Sequence, residues 1–242
     1  MIVCIDSGNT RIKWGAHDGK RWVAQGAVAH ADVEQLAQLA DDWPQPARVM
    51  LANVAGPAAA EGIADQLRSW QSVWHEVRST LHAGGVVNGY KQPERLGVDR
   101  WCALIGARVL TGTSCVVVMA GTATTIDTLD VDGRFLGGLI LPGLDLMRHA
   151  LARDTAGLPF ANGHHVAFPT CTDDAIVSGI VEAQLGAIER AFQRLAEPTA
   201  CCLLSGGNAH KLAGKIPFPV RQVDNLPLEG LLRLASESTD LN

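Results

Sequence analysis

Three short stretches of the chain carry residues whose types and spacing suit phosphate chemistry. The first is Asp6-Ser7-Gly8-Asn9-Thr10-Arg11-Ile12-Lys13, where a carboxylate ends an apolar run, a polar turn follows, and a lysine comes three residues after the threonine. A carboxylate at a strand end can hold Mg²⁺ through water. Asn9 and Thr10 can donate hydrogen bonds, Lys13 supplies a point charge, and Gly8 lets backbone N–H groups approach phosphate oxygens closely. A merely polar β-hairpin accounts for the same residues, but Ala-Gly-Thr-Ala-Thr-Thr at 120–125, with Gly121 and Thr122, recurs at the matching place in the second half. The second stretch, Ser205-Gly206-Gly207-Asn208, follows the apolar run CCLL. Two glycines between a strand and a helix start suit the sugar or flat face of a nucleotide, although such turns serve many folds. The third is GYKQPERLGVDRW at 89–101. Asp99 and Arg100 fall in the first turn of a helix, where a carboxylate could orient a hydroxyl and a guanidinium could grip a carboxylate bidentately. Asp99 alone is equally explained as a complement to the helix dipole. Arg100 is not favoured there, and Tyr90 is the only tyrosine in the chain.

The elements that must position these residues follow from periodicity. Strands are predicted at 2–6, 11–15 and 21–28, with an Asp18-Gly19 hairpin turn between the last two. A helix is predicted at 32–43 with an Asp32/Gln35 capping box, then strand 48–53, helix 57–70, strand 73–77, a long loop at 79–95 and helix 98–110. Long loops of that kind are often functional. Residues 115–141 repeat the pattern of strand, glycine turn, strand, Asp-Gly turn, strand, and Gly8 and Gly19 align with Gly121 and Gly133. A helix at 144–153, a helix at 173–196 capped by Thr172, and strand 200–204 follow. The pattern reads as a duplicated βββαβα unit, with one lobe at 1–112 and a second at 113–242.

That duplication describes the actin/sugar-kinase/Hsp70 class: α/β, two ribonuclease H-like domains with mixed sheets flanked by helices and a cleft between the lobes. In that class the glycine turns of the two first hairpins grip the phosphates of ATP. Phosphoryl transfer leaves the protein little covalent work, so positioning and neutralisation of charge are what the residues must supply.

Composition narrows the field. The chain has 242 residues, 47% of them hydrophobic and 19% charged, and a net charge of −5. That describes an ordinary folded chain with a core large enough to need no disulfide. No basic stripe suggests a nucleic-acid partner. No apolar run reaches the roughly 20 residues needed to span a bilayer, and the start lacks a secretory pattern, so a cytoplasmic protein is expected. The six cysteines form no C-x-x-C and most sit in apolar runs, as buried thiols do. His164, His165 and Cys171 lie near one another, but no zinc site is expected from them. Neither a Rossmann fingerprint, a P-loop nor a nucleophile elbow occurs.

Taken in order, the motifs resemble those of the type III pantothenate kinases: DSGNTRIK at 6–13, GYxxPxxLGxDR at 89–100, AGTATTID at 120–127, GGLILPG at 137–143, TDDAIVSG at 172–179, SGGNAH at 205–210 and DNLPLEGL at 224–231. The middle motif discriminates, since glycine turns are shared across the wider class. The resemblance implies ATP-dependent phosphorylation of the terminal hydroxyl of pantothenate, the first step toward coenzyme A. It implies Asp99 as the catalytic carboxylate and Tyr90, Gly97 and Arg100, with Val98 inside the same motif, as pantothenate ligands. Residues 6–13 and Thr122 would bind ATP, with Gly121, Gly206 and Gly207. Thr172 would reach pantothenate across the interface of a homodimer. Some relatives were first described as accessory factors for transcription, so a nucleotide-binding regulator, or another small-molecule kinase, is the alternative reading.

One position departs from the family pattern. The family places an aspartate two residues before the Gly-Thr-Ala turn to ligate a monovalent cation, K⁺ or NH₄⁺. Met119 stands there, a soft thioether that does not suit a hard alkali cation. That puts the ion in question, leaving backbone carbonyls or, less favourably, Asp127 to hold it.

Overall fold

The computed structural model describes residues 1–237. They form two compact units: Met1–Gly112 with Gly133–Phe135 and the chain from Asn225 onward, and Thr113–Asp132 with Leu136–Asp224.

In the first unit, β1 (Ile2–Ser7), β2 (Arg11–His17), β3 (Trp22–Ala29), β4 (Arg48–Asn53) and β5 (Trp74–Glu76) form one sheet in the order β3-β2-β1-β4-β5. β1 pairs antiparallel with β2 and parallel with β4. The central strand is covered on both faces, which is why IVCID is an unbroken apolar run that ends on a carboxylate rather than an alternating one. β3, at the sheet edge, alternates between half-buried and exposed residues. The Asp18-Gly19 turn forms as expected: the Asp18 carboxylate accepts from the N–H groups of Lys20 and Arg21, each at 2.8 Å, and Gly19 takes φ +97°.

Two expected helices of this unit are interrupted. Over 32–43 a 3₁₀ segment at His30–Leu36 precedes α1 (Ala37–Asp42), with Asp32 at non-helical φ −114°, ψ 27°, and no capping box forms. Over 57–70, α2 (Pro57–Gln66) breaks at Leu67 into a 3₁₀ segment at Arg68–Val73. Leu67 and Trp70 are both buried with Val3, Ile5 and Ile12, and that burial outweighs continuing the helix. The 79–95 loop is not structureless. It contains a two-stranded hairpin, β6 (His82–Ala83) with β7 (Val86–Val87), and a 3₁₀ turn at Pro93–Arg95 before α3 (Val98–Leu110).

The second unit repeats the plan. β8 (Cys115–Ala120), β9 (Ala123–Leu129), β10 (Phe135–Pro142), β11 (Cys201–Ser205) and β12 (Val220–Gln222) form a sheet in the order β10-β9-β8-β11-β12. β8 again pairs antiparallel with the next strand and parallel with the fourth. Counted along the chain this is the first sheet's order, and Gly133, at φ +80°, occupies the place of Gly19. The helices are α4 (Leu144–Asp154), α5 (Thr172–Gln193) and the short α6 (Ala209–Ala213). Thr172 is the first residue of α5 and not its cap; Cys171 stands at the cap and makes no side-chain capping bond. The first-turn carboxylates fasten the preceding loop instead: Asn162 N–H donates to Asp173 at 2.9 Å, and His164 N–H to Asp174 at 2.7 Å.

The C-terminal helix (Leu226–Glu237) lies, in contrast to the expected 113–242 lobe, with the first unit. Its Leu228, Leu231 and Ala235 share a buried cluster with Cys4, Met50 and Cys102. Two glycines set the approach: a Cβ on Gly230 would fall 1.9 Å from the Cys102 carbonyl oxygen, and one on Gly106 2.3 Å from that of Leu226. All six cysteines are free, and burial pushes the Cys202 thiol up to about 12, so it stays an unreactive thiol. Among the described residues no helix is long and apolar enough to cross a membrane.

Candidate active site

Asp6 is the next-to-last residue of β1, and its register partner across the hairpin is Lys13, so the two side chains stand on one face of the sheet. The carboxyl is 8% exposed and its Oδ1 has no hydrogen-bond partner. Burial, and next the negative charge of Asp99, push its pKa up to about 7, against the lowering pull of Lys13. A buried oxygen without a partner is costly, and at the end of a strand beside a glycine turn it is an oxygen donor suited to a hard cation. Beyond it, Gly8 N–H donates to the Arg11 carbonyl at 3.1 Å, while the Gly8 carbonyl is bonded by His30 Nε2 at 2.7 Å. Ser7 is buried; Asn9, Thr10 and Arg11 are exposed. Ile12 differs from its neighbours: its side chain is in the core with Val3 and Ile5, leaving only its backbone for a ligand.

The second turn is one residue shorter. Gly121 N–H donates to the Ala123 carbonyl at 3.1 Å. The turn is buttressed by Gly143, whose N–H bonds the Thr122 carbonyl at 2.9 Å and where a Cβ would fall 2.3 Å from the Gly121 carbonyl oxygen. Gly206 lies over the end of β8 at φ +102°, with room for no side chain: a Cβ would sit 2.5 Å from the Ala120 oxygen. Asn208 N–H bonds that same oxygen at 3.0 Å. α6 has only five residues, so Gly206 and Gly207 offer close backbone approach rather than a helix dipole. Met119 faces Thr125, whose buried Oγ1 is unpartnered.

The third cluster is built by the long loop and α3. Asn88 is buried and ties the loop together: its Nδ2 donates to the Thr80 and Pro93 carbonyls at 3.1 and 3.0 Å, and its Oδ1 accepts from Tyr90 N–H at 3.1 Å. Ser79 Oγ donates to the Leu96 carbonyl at 2.8 Å. Tyr90 is thereby held beside Arg100, whose Nη1 donates to Tyr90 Oη at 2.8 Å. Asp99, half-exposed, accepts from Arg100 N–H at 2.8 Å, and a Cβ on Gly97 would lie 2.7 Å from Asp99 Oδ1. Glycine at 97 is what lets that carboxylate sit where it does. Val98 packs partly into the cluster around Cys4 and Cys102.

The first unit thus brings together Asp6, Lys13 and Asp99, and beside them Tyr90, Gly97 and Arg100. The second brings together Gly121, Thr122, Gly206 and Gly207. Thr172 stands apart from that group, exposed on an apolar groove of about 440 Å³ with Met147, Leu151, Leu158 and Ile176. Sequence reasoning passed over Asn88, Gly143, His30 and Phe135. Gly143 was legible as the end of GGLILPG; the others act through contacts with no local signal.

The profile of the family described as Type III pantothenate kinase matches residues 2–194. A Type III pantothenate kinase of Dechloromonas aromatica is 62% identical over 238 residues, which cover 98% of this chain and all of the relative. Among solved structures, a Baf family protein of Campylobacter jejuni, described as a transcriptional activator, superposes with TM-score 0.68 at 21% identity over 99% of this chain and all of the other. A 2-dehydro-3-deoxygalactonokinase protein of Sinorhizobium meliloti superposes with TM-score 0.61 at 14% identity, with complete coverage of both. At those identities the two structures bear on the fold alone, which is that of the actin and sugar-kinase class.

Proposed function

The chain belongs to the type III pantothenate kinases, and from that premise we propose that Asp99 is its catalytic carboxylate. The reaction is ATP-dependent phosphorylation of pantothenate in coenzyme A biosynthesis. The observation that carries the assignment is a carboxylate next in sequence to a buried guanidinium that is bonded to the only tyrosine. Such a pair of neighbours can take one substrate at two points: Arg100 and Tyr90 the pantothenate carboxylate, Asp99 the hydroxyl to be phosphorylated.

An ordinary aspartate, with a pKa near 3.9, is too weak a base to strip a proton from an alcohol outright. A loose transition state does not ask it to: the hydroxyl needs orientation first and a proton acceptor late. Gly97 and Val98 belong to the same contact through their backbone. The ATP phosphates fall to the backbone N–H groups of residues 7–12, to Asn9, Thr10 and Lys13, and to Gly121 and Thr122, with Gly206 and Gly207 at the nucleoside. Asp6 fits Mg²⁺, directly or through water, because its buried oxygen lacks a partner. When bound, that ion neutralises charge on the phosphoryl oxygens.

A monovalent cation fits less well. Thr125 Oγ1 is an available oxygen, but the carboxylate of the family pattern is replaced by Met119, so we assign no step to K⁺. Thr172, exposed in the single chain, is assigned to the pantothenate of a partner copy in a cytoplasmic homodimer. A coupled ADP-release assay with and without pantothenate tests the reading: ADP should form at the kinase rate only when pantothenate is present. ADP release indifferent to pantothenate would overturn it.

A further inference from the structure

Tyr90 and Arg100 are not held by each other alone. The ring of Phe135 stacks on Tyr90 with centroids 5.6 Å apart and planes inclined by 26°. The guanidinium carbon of Arg100 lies 5.6 Å from the Tyr90 ring centre and 5.8 Å from that of Phe135. Arg100 is 5% exposed and Phe135 1%. Arginine cannot shed its charge on burial, so a desolvated guanidinium needs compensation on every side. The negative faces of aromatic rings supply part of it.

The backbone brings Phe135 there by design of the turn. Val87 N–H donates to the Gly133 carbonyl at 2.9 Å, and a Cβ on Gly89 would fall 2.0 Å from the Phe135 carbonyl oxygen. The segment 133–135 therefore lies against 87–90 so closely that residue 89 has no room for a side chain. The glycine next to Tyr90 in the GYxxP motif is explained by Phe135.

We propose that Phe135 is a positioning residue for the pantothenate site. Its ring fixes the plane of Tyr90, and together they set the direction of the Arg100 guanidinium, so that Phe135 governs affinity for the carboxylated substrate without touching the nucleotide. This rests on the assignment of Tyr90 and Arg100 to the substrate carboxylate made above. A residue that merely filled space would differ in a measurable way: its loss would lower thermal stability and disturb both substrates alike.

The test is steady-state kinetics with ATP and pantothenate varied independently, on Phe135→Leu, Phe135→Tyr, Gly89→Ala and Arg100→Gln, with the melting temperature of each. Phe135→Leu keeps apolar bulk and removes the ring. It should raise KM for pantothenate about 3- to 30-fold, the range a desolvated ring–cation contact supports, with KM for ATP within about twofold. Phe135→Tyr should stay nearer the parent than the leucine variant. Gly89→Ala, which pushes on the same contact from the other side, should reproduce the selective rise and carries the test if Phe135→Leu does not fold. Joint rises in both KM values, a leucine variant equal to the parent, or tyrosine and leucine variants equally impaired would overturn the role of Phe135. If Arg100→Gln leaves KM for pantothenate unchanged, the carboxylate assignment fails and this proposal with it. If Arg100→Gln raises it while the Phe135 and Gly89 variants do not, only the role of Phe135 is lost.

Discussion

Arg100 Nη1 donates a 2.8 Å hydrogen bond to Tyr90 Oη, joining the end of a long loop to the first turn of α3. The bond is made by a guanidinium that is almost wholly buried, so the hydroxyl both holds the cation and limits where it can point. Removing the hydroxyl in Tyr90→Phe leaves the ring stack and deletes one bond to a charged group, worth about 1.5–3 kcal/mol. KM for pantothenate should rise by about one to two orders of magnitude while KM for ATP stays put. Equal KM values in the variant and the parent would separate Tyr90 from the substrate.

Asp6 makes stability depend on pH in an unusual direction. Its carboxyl is raised by burial and by Asp99 from an ordinary 3.8 to about 7 in the folded chain. The folded state then holds a proton that the unfolded state releases, so the folded form loses stability as pH rises from about 4 to about 7 and levels off above that. Asp6→Asn abolishes this dependence. In nucleotide-free protein the melting temperature of the variant relative to the parent should climb between pH 4 and pH 8 by about 8–15 °C, since a difference of about three pH units is worth about 4 kcal/mol, at about 2–4 °C per kcal/mol for a chain of this size. The same variant should lose most activity. A difference in melting temperature that is flat across that range would contradict the buried, unpartnered carboxyl.

Met119 predicts indifference to the alkali cation. Turnover in K⁺ and in Na⁺ at equal ionic strength should agree within about twofold, since a thioether is a poor ligand for either. Met119→Asp should introduce a preference for K⁺. A several-fold activation of the parent by K⁺ would place the ion on other ligands.

Thr172 is tested by mixing chains. If it serves the partner's pantothenate, Asp99→Asn and Thr172→Val chains, each poorly active alone, should regain activity when refolded together, because each mixed dimer holds one site with both residues intact. Activity no greater than the mean of the two parents would return Thr172 to its own chain, or remove it from the site.

Much of this was legible in the sequence because local chemistry and global topology agree. The two glycine turns and both Asp-Gly hairpins sit where the pattern put them; at Gly19 and Gly133, a turn needing φ near +90° announces itself as glycine. The helix interruptions at Asp32 and Leu67 were not legible: burial of Leu67 and Trp70 beneath the first sheet overrode a continuous helical pattern. The cap expected of Thr172 failed because the helix starts one residue sooner, with Thr172 already helical and Cys171 at the cap position. The C-terminal helix returned to the first unit through Gly106 and Gly230, a contact between distant segments that no periodicity records. At the site, Asp6, Asp99 and Arg100 stood out as charges placed against an apolar pattern. Phe135 and Asn88 did not, because a buried phenylalanine and a loop asparagine are unremarkable until their neighbours are known.

The central claim is that Asp99 receives the hydroxyl proton while ATP is held elsewhere, and Asp99→Asn measures it most directly. Turnover in the coupled ADP assay should fall about 10²- to 10⁴-fold, the usual worth of a positioned proton acceptor, with the dissociation constant for ATP, read by calorimetry on the same preparation, changed by less than about threefold. A variant that turns over at the parent's rate, or one whose defect is lost ATP binding, would contradict the account.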